Sequence, residues 1–376
     1  MPLTIGLSVD TLYYLRGAGH LWAYLNWALG LKELGHRVLW IESAVNTDPA
    51  EKTQALVDTL RAILAPWGLA DSVALAPRED GPSDFSAIRG VLSGDDISGD
   101  LLIALQYCTR NDVLRKFRTS AMIDIDPGLT QTWVAQGVMT FSPYTKFFTI
   151  GEGVVRAGGK IPSVGKTWTH TPPAVALQAW PVIAADADAP FTTISHWYAH
   201  EWIVLDNGET LCNDKRSGFQ PFLGLAARTK VPLELAIRLG DDAYEKGVLE
   251  NLNWRVRESH DVTGDVAGYQ NYIRSSRGEF SCAKPMYVRL DSGWISDRTI
   301  CYLASGKPCL VQHTGDSDYL PDKAGLFRFK TEDDAVRGME AIVADYPRQC
   351  RLARELAETH FDAAKVARRV IELTLS

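Results

Sequence analysis

A chain of 376 residues is longer than one hydrophobic core usually supports, which favours two domains. Its apolar fraction of 46% and charged fraction of 23% are typical of a globular protein. The net charge of −7 disfavours nucleic acid as the main partner, because phosphate backbones need a broad basic surface, although it leaves room for a local basic pocket.

The sequence gives no sign of export or of membrane insertion. Its first residues, MPLTIGLSVD, lack the basic start and the long apolar stretch of a signal peptide. No run of about 18 uncharged apolar residues occurs, so we expect no transmembrane segment. The cysteines lack the short spacings of a zinc site, and we expect reduced thiols in a cytoplasmic protein. They are Cys108, Cys212, Cys282, Cys301, Cys309 and Cys350.

The first third of the chain predicts alternating strands and helices. An apolar strand over 4–9 leads into a glycine-containing turn over 16–20 and then into a helix whose apolar residues recur with helical spacing up to Leu31. Gly35 is the expected helix terminator, and a second strand begins at Val38. Further predicted elements are a helix over 53–64 and strands over 101–105 and 121–126. This alternation favours a doubly wound parallel sheet.

The middle of the chain breaks the alternation. Residues 151–173 are rich in Gly, Pro, Thr and Trp and predict a long ordered loop. Residues 184–190 are small and acidic, without apolar periodicity, which is typical of a linker. We therefore predict an N-terminal domain over 1–185, a C-terminal domain over 190–347 and terminal helices over 348–376.

A second α/β series follows the linker. Its predicted strands cover 191–195, 233–239, 254–256, 279–282 and 309–312, and its predicted helices cover 221–227, 243–251, 266–273 and 296–304. The sequence thus predicts an α/β protein with two Rossmann-like, doubly wound parallel-sheet domains facing across a cleft. Ligands of such sheets bind at the carboxyl ends of the strands, so the loops at those ends are the candidates for a site.

The first candidate loop joins the first strand to the first helix and carries Asp10, Arg16, Gly17, Gly19 and His20. Glycines let a backbone approach a ligand closely, and a neutral histidine takes a proton from a hydroxyl near pH 7. The alternative is that His20 caps the helix and the glycines only shape the turn. The turn lacks the third glycine of a dinucleotide fingerprint, and only Glu42 follows the second strand as a ribose-binding acid.

The second candidate loop precedes the helix predicted from residue 296. A helix start offers unpaired amides and a positive dipole end to a pyrophosphate, and nearby basic side chains add charge. The alternative is that Ser296 only caps the helix and that the basic residues are solvated surface. The clustering favours a diphosphate site. Its residues are Lys284, Arg289, Ser292, Gly293, Trp294, Ser296, Asp297 and Arg298.

Weaker candidates lie at the end of the strand predicted over 121–126 and in the long loop over 151–173. Asp124, Asp126 and Gln131 suit a cation, a sugar or an acceptor, although Asp-Pro-Gly is also common turn chemistry. Trp168 suits stacking on a sugar, with core packing as its alternative, and His170 is typical of a hydrogen-bonded loop residue. No zinc motif, nucleophile elbow or phosphate-binding P-loop occurs, so we expect no metal and no cofactor.

Two segments resemble those of GT-B glycosyltransferases. Ser305-Gly306-Lys307-Pro308 resembles the small-Gly-Lys/Arg-Pro segment after the donor-site helix, and the opening from Gly19-His20 to Val38 resembles the pattern GH…LA..L...GH.V. The resemblance implies that the C-terminal domain holds the nucleoside diphosphate of a sugar donor and that the N-terminal domain holds the acceptor. It also implies that the last helix packs back on the N-terminal domain and that His20 occupies the place of the catalytic base of inverting members.

The chain departs from the superfamily at the donor site. Many retaining members carry two glutamates eight positions apart, where this chain has Gly293 and Cys301. The ribose contact of the second glutamate then passes to Asp297. Gly293-Trp294 resembles the Gly-Trp of plant-type inverting enzymes, without the histidine that precedes it there. Stereochemistry stays open, with a lean toward inversion because of His20, and Asp10 is the next candidate base.

The sequence therefore predicts a glycosyltransferase that uses a nucleotide sugar as co-substrate, without a metal, and transfers the sugar to a hydroxyl or amine of an acceptor that stays open. Three alternatives remain. One is a GT-B-fold epimerase that acts on the sugar nucleotide itself. Another is a two-lobed binding protein without chemistry. The third is an NAD-dependent dehydrogenase, which the incomplete glycine fingerprint disfavours.

Overall fold

Two parallel sheets, one in each half of the chain, organise the computed structural model, which describes residues 1–80, 84–199, 202–205 and 208–376. The first half contains β1 (Thr4–Ser8), β2 (Arg37–Ala44), β3 (Val73–Pro77), β4 (Gly99–Ala104), β5 (Phe117–Asp124), β6 (Lys146–Thr149) and β7 (Trp168–His170). They form one parallel sheet in the order β3-β2-β1-β4-β5-β6-β7. Its helices are α1 (Ala18–Glu33), α2 (Ala50–Leu64), α3 (Asn111–Leu114), α4 (Leu129–Ala135) and α5 (Glu152–Val155).

The second half repeats this arrangement. Its strands are β8 (Phe191–His196), β9 (Trp202–Val204), β10 (Thr210–Cys212), β11 (Leu233–Arg238), β12 (Arg255–Glu258), β13 (Gly278–Ser281), β14 (Cys309–Gln312) and β15 (Leu326–Phe329). Six of them form a parallel sheet in the order β12-β11-β8-β13-β14-β15, while β9 and β10 form a small antiparallel pair. The predicted fold class, two doubly wound parallel-sheet domains, is therefore confirmed.

The helices of the second half surround its sheet and continue into the terminal segment. They are α6 (Lys215–Phe219), α7 (Leu225–Arg228), α8 (Ala243–Asn251), α9 (Ser259–Thr263), α10 (Val266–Ser275), α11 (Pro285–Arg289), α12 (Asp297–Ala304), α13 (Glu332–Ala344), α14 (Tyr346–Leu356) and α15 (Ala363–Leu375). A π-helical turn over Ala357–Phe361 joins the last two. Across the described residues, no helix combines the length and the apolar character needed to cross a membrane.

The segment 151–173 differs from its prediction as a loop. It contains α5, and its residues Trp168–His170 form β7, which pairs with β6 at the edge of the first sheet. A strand of three residues is too short to produce a recognisable alternation of apolar and polar residues. The helix predicted over 221–227 is likewise divided between a 3₁₀ turn at Gln220–Phe222 and α7.

Helix α1 lies between the two halves and is buried on every side. Twelve of its sixteen residues are buried, as is typical of a helix enclosed by a core rather than packed on a surface. Besides its own sheet it contacts α10, α12 and α15. The indole of Trp22 donates a hydrogen bond to the carbonyl of Val266 (2.9 Å). The Asn26 carboxamide accepts from Ala176 N (3.1 Å) and Trp180 Nε1 (3.2 Å).

The terminal helix α15 packs directly against α1. Val175 N donates to Phe361 O (2.7 Å) and Ala363 N donates to Val175 O (3.0 Å), which attaches the start of α15 to the N-terminal half. The two helices approach most closely at Gly30, where an added Cβ would lie 2.6 Å from the backbone of Ala363. Gly30 therefore has a packing role that no other residue type can fill without displacing α15.

We predict that Gly30→Ala destabilises the protein by about 1–3 kcal/mol, because the new methyl group overlaps the backbone of α15. Gly247→Ala in α8 is the matched control. An added Cβ there meets no atom within 4 Å, and replacing a helical glycine should stabilise by about 0.5–1 kcal/mol. Urea unfolding of both variants measures the difference. Equal stability of the two variants would contradict the close packing of α1 and α15.

Candidate functional site

A cavity of about 520 Å³ lies between the carboxyl ends of the two sheets. Residues of the β1–α1 and β5–α4 loops line one side, and residues following β8, β12 and β13 line the other. Both candidate loops predicted from the sequence therefore reach it. The predicted site residues that line this cleft are Gly19, His20, Asp126, Trp294, Ser296, Asp297 and Arg298.

The loop between β1 and α1 is held in place by Glu42 from the neighbouring strand. This fully buried carboxylate accepts from Thr11 N (2.9 Å), Leu12 N (3.0 Å) and Trp40 Nε1 (2.8 Å). Burial raises the pKa of Glu42, and these hydrogen bonds oppose the rise. The interpretation of Glu42 as a ribose ligand is wrong, because its carboxylate lies beneath the loop and away from the cleft.

His20 faces the cleft from the first turn of α1. Its Nε2 lies 2.9 Å from the main-chain carbonyl oxygen of Asp10 and 3.2 Å from the Tyr24 hydroxyl. Because a carbonyl only accepts hydrogen bonds, Nε2 carries the proton, and the lone pair of the neutral ring resides on Nδ1. His20 does not cap the helix, since Gly17 occupies that position without a side-chain hydrogen bond.

Asp10 enters the site through its backbone rather than through its side chain. The carboxylate lies 3.6 Å from Arg78 Nη2, and both side chains are more than two-fifths exposed. Its carbonyl is the atom that orients His20. The structure thus corrects the prediction of Asp10 as an alternative base, because its carboxylate does not line the cavity.

Asp126 receives hydrogen bonds from both halves of the chain. The hydroxyls of Tyr107 (2.5 Å) and Tyr287 (2.6 Å) donate to its two carboxylate oxygens. Asp124, two residues earlier, is completely buried, and burial followed by the charge of Asp126 raises its pKa to about 6. Gln131 is also buried and donates to Asp124 Oδ2 (2.7 Å). Gln131 therefore stabilises this loop from inside, and its prediction as a sugar contact is wrong.

Trp294 presents a flat aromatic surface at the cleft. Its ring stacks on Tyr287 with centroids 4.4 Å apart and an interplanar angle of 8°. Gly293 has a φ of +66°, and the Ser292 hydroxyl donates to Tyr287 O (3.1 Å) and accepts from Trp294 N (3.2 Å). Ser292 and Gly293, which were predicted to bind the donor, do not line the cavity. They instead form the turn that positions Trp294.

The start of α12 points into the cleft. The Ser296 hydroxyl accepts from Arg298 N (3.2 Å), so Ser296 is the N-cap of this helix. Asp297 is half-buried and lines the cavity. Burial and then the nearby charge of Asp126 raise the pKa of Asp297 to about 7. This carboxyl is therefore divided between its neutral and charged forms at physiological pH.

Arg298 lines the cleft but belongs mainly to the core of the C-terminal half. Its Nε donates to Glu279 Oε1 (2.8 Å), Nη1 to Ile194 O (2.7 Å) and Nη2 to Ser281 Oγ (2.5 Å). Glu279 is completely buried. Removing the guanidinium would leave this carboxylate buried without its counter-ion, which typically costs about 3–5 kcal/mol. Arg298 therefore reaches the cleft, and its contact with the donor stays a prediction, but substituting it would disturb the fold as well.

Basic residues gather at the carboxyl edge of the second sheet. The sequence predicted Lys284 among them, which lies near His196 but does not line the cavity, and it missed His196, Arg238 and His260. His196 ends β8 and Arg238 ends β11, and the two are register partners on adjacent strands. Desolvation in the cleft, followed by the charges of Arg238, His260 and Lys284, lowers the pKa of His196. Desolvation, followed by the charges of Arg238 and Arg16, lowers the pKa of His260. His196, Arg238, His260 and Lys284 form what we call the basic edge, and Arg16 faces it from the β1–α1 loop. The charged residues and the two desolvated histidines, which can take up protons when an anion binds, make this edge suited to stabilise an anion.

Lys215 adds a buried cation behind the basic edge. Its ammonium donates to Cys282 O (2.5 Å) and lies 5.5 Å from the centre of the Trp294 ring. Burial and then the charge of Arg298 lower its pKa to about 7. Lys215 follows a segment without clear periodicity, and only its position as the first residue of a short helix capped by Asp214 could have drawn attention to it.

Two other predicted residues lie outside the cleft. Arg289 forms an ion pair with Glu209 (2.5 Å) and lines a separate cavity, so its prediction as a donor contact is wrong. Trp168 packs in the core of the first half, with its ring centre 5.5 Å from that of Phe147 and its Nε1 donating to Ser163 O (3.0 Å). It cannot stack on a sugar in the cleft. In the described part of the chain, no group of three or more His, Cys, Asp or Glu side chains is placed to hold a metal ion.

No protein-family model and no curated protein matches this sequence. Solved structures nevertheless match over almost the whole chain. Anabaena HepE in complex with UDP-glucose has a TM-score of 0.57 at 12% identity, with 99% of each chain covered. Sucrose-phosphate synthase from Thermosynechococcus elongatus has a TM-score of 0.55 at 11% identity, with 98% of each chain covered. AviGT4, a glycosyltransferase of Avilamycin A biosynthesis, has a TM-score of 0.56 at 12% identity, with 99% of this chain and 97% of AviGT4 covered.

These similarities show the fold. The chain shares the two-domain GT-B architecture of these proteins, as its sequence predicted.

The raised pKa of Asp297 predicts a particular dependence of stability on pH. The folded cleft favours the neutral carboxyl. The stability that this preference adds to the folded protein is therefore complete below about pH 4 and is lost as the pH rises to about 7. Asp297→Asn should therefore gain stability relative to wild type over this interval, by about 2 kcal/mol, which is roughly half of what the full rise in pKa to about 7 would give, because solvent screens the half-buried carboxyl. Asp188→Asn, at an exposed linker carboxylate, should not. Urea unfolding at several pH values measures this, and parallel profiles for wild type and Asp297→Asn would contradict the shift.

Proposed function

We propose that this protein is a glycosyltransferase that takes a sugar from a nucleoside-diphosphate sugar and attaches it to an acceptor hydroxyl or amine. The observation that carries this proposal is the basic edge of the second sheet, which faces His20 across a single cavity. The fold shared with HepE, whose structure contains UDP-glucose, supports a nucleotide-sugar donor, and UDP is the first nucleotide to test.

The donor diphosphate is proposed to lie against the basic edge. Arg16, His196 and His260 line the cleft from both halves of the chain, Arg238 is the register partner of His196, and the positive end of the α12 dipole faces the same space. A diphosphate leaving group gains negative charge as its bond to the sugar breaks, so fixed positive charge lowers the barrier. We propose that these residues act without a metal ion.

Asp297 is proposed to recognise the ribose. It is the acidic residue of the first turn of α12, and no hydrogen bond from another described residue to its carboxylate is found. Once ionised, a carboxylate accepts hydrogen bonds from two adjacent hydroxyl groups, as a ribose provides. The stacked pair Tyr287 and Trp294 offers an apolar face for the base or the sugar.

His20 is proposed to be the general base of an inverting transfer. Its lone-pair nitrogen Nδ1 would accept the proton of the acceptor hydroxyl while the oxygen attacks the anomeric carbon and the nucleoside diphosphate leaves. The Asp10 carbonyl holds the proton on Nε2, which keeps Nδ1 available. The acceptor would then lie on the N-terminal side of the cleft, beside Asp126.

We also propose that the enzyme works in the reducing cytoplasm. All six cysteines lie in the described part of the chain and are free thiols, as expected for a compartment that keeps cysteines reduced.

We predict that Arg238→Gln weakens UDP binding roughly 10–100-fold, because one charge-assisted contact to the diphosphate is lost. Arg255→Gln is the matched control, since Arg255 starts β12 at the opposite, amino edge of the same sheet. Isothermal titration calorimetry with UDP measures both affinities. Equal affinities in the two variants would place the diphosphate away from the basic edge.

We predict that His20→Ala lowers kcat by about 10²–10⁴-fold with little change in donor affinity, because it removes the base and leaves the basic edge intact. His36→Ala, near the other end of α1, should keep wild-type turnover. Release of UDP from a UDP-sugar in the presence of acceptor measures kcat, and product analysis separates transfer from epimerisation of the donor. A His20→Ala variant that melts earlier but turns over normally would exclude His20 as the base.

A further inference from the structure

A second cavity of about 510 Å³ lies where α5, the end of β7, the loop after β14 and the start of α15 meet. None of the residues that line it lines the cleft. It brings together both halves of the chain and the terminal helix, and the function proposed above does not use it.

Two buried acceptor atoms in the wall of this cavity have no hydrogen-bond partner in the described structure, Glu152 Oε1 and His170 Nε2. Glu152 is 5% exposed, and its other oxygen accepts from Asp318 N (2.7 Å). His170 forms a hydrogen bond to the backbone of Ile150, which requires a proton on Nδ1 and leaves the lone pair on Nε2. Burial and then the charge of Arg369 lower the pKa of His170 to about 4, so the ring is neutral at physiological pH.

Two unpaired acceptors in one wall favour a ligand that supplies hydrogen-bond donors. Buried polar atoms are nearly always paired, and leaving them unpaired costs free energy that a bound hydroxyl group would recover. Tyr319 forms an aromatic surface beside them, with its ring centre 5.2 Å from that of His170 and 5.4 Å from that of His360. Aromatic faces of this kind suit the C–H surface of a sugar or another polyol.

The rim of the cavity is basic. Arg156 comes from the end of α5, and Lys365 and Arg369 come from successive turns of α15. Arg156 donates to Asp316 O (2.9 Å) and Lys365 to Glu358 O (2.8 Å), both main-chain carbonyls. The carboxylate of Asp362 lies 4.0 Å from Lys365, which is too far for a strong ion pair. Asp318 is 4.0 Å from Arg156 and 90% exposed. An anionic group on the ligand would therefore find three cations at the rim.

We propose that this second cavity binds a small phosphorylated sugar or polyol, whose hydroxyl groups donate to Glu152 and His170 and whose phosphate contacts Arg156, Lys365 and Arg369. Because this cavity shares no lining residue with the cleft, such a molecule would act as a regulatory ligand at the junction of the two halves of the chain. The binding site itself does not depend on the proposed glycosyltransferase activity.

Glucose 6-phosphate is the probe, with glucose and inorganic phosphate as its two halves, titrated into the full-length protein by calorimetry. We expect saturable binding of glucose 6-phosphate at one site and much weaker binding of either half. Glu152→Gln should weaken it about tenfold, because its amide oxygen stays on Asp318 N and the ligand hydroxyl loses the charged acceptor of a charge-assisted hydrogen bond. Arg369→Gln, on an exposed side chain that leaves the fold intact, should also weaken it, whereas Arg368→Gln, outside the cavity, should not.

Two further measurements test whether the second cavity is independent of the cleft. Glucose 6-phosphate should still bind in the presence of saturating UDP. If the protein does not bind UDP at all, glucose 6-phosphate should nevertheless bind in the second cavity. Binding without transfer of glucose from UDP-glucose onto the probe is expected of a regulatory ligand, and transfer onto the probe would contradict a site separate from the cleft. The proposal is overturned if glucose 6-phosphate does not bind saturably, or if both Arg369→Gln and a folded Glu152→Gln bind it as Arg368→Gln does.

Discussion

The burial of helix α1 on every side is the constraint on which the site depends. Its first turn carries His20, and its next turn carries Trp22, whose indole donates a hydrogen bond to the second half of the chain. Near its end, Gly30 packs against the backbone of α15. A helix enclosed in this way cannot rotate or slide without opening both cores. The position of His20 relative to the start of α12 is therefore fixed by packing, before any ligand binds.

Basic and acidic side chains occupy different positions around the cleft. Basic residues gather at the carboxyl edge of the second sheet, while the carboxylates of Asp126 and Asp297 also line the cleft. Burial and then the charge of Asp126 raise the pKa of Asp297. His196 and Lys215 have lowered pKa values for the complementary reason, since each is desolvated near other positive charge. An anion at the basic edge would relieve this repulsion, which is the electrostatic case for a diphosphate.

The sequence predicted the elements with strong periodicity or clear terminators, such as α8 over 243–251 and β14 over 309–312. It also predicted that His20 and Asp297 would reach the cleft, because both follow strand ends. It failed where a role depends on a partner distant in the chain. It did not reveal that Arg298 is also held in the core, because its partners Glu279 and Ile194 lie on strands distant in the chain. The short strand that holds Trp168 left no periodic signal at all.

Calorimetric titration of UDP at pH 7.5 in two buffers of different ionisation enthalpy tests the central claim most directly. His196, His260 and Lys215 have lowered pKa values in the free protein, and a diphosphate at the basic edge would raise them. The account predicts saturable binding with net uptake of protons, so the observed heat should differ between the buffers. The absence of saturable binding, or binding whose heat is the same in both buffers, would contradict it.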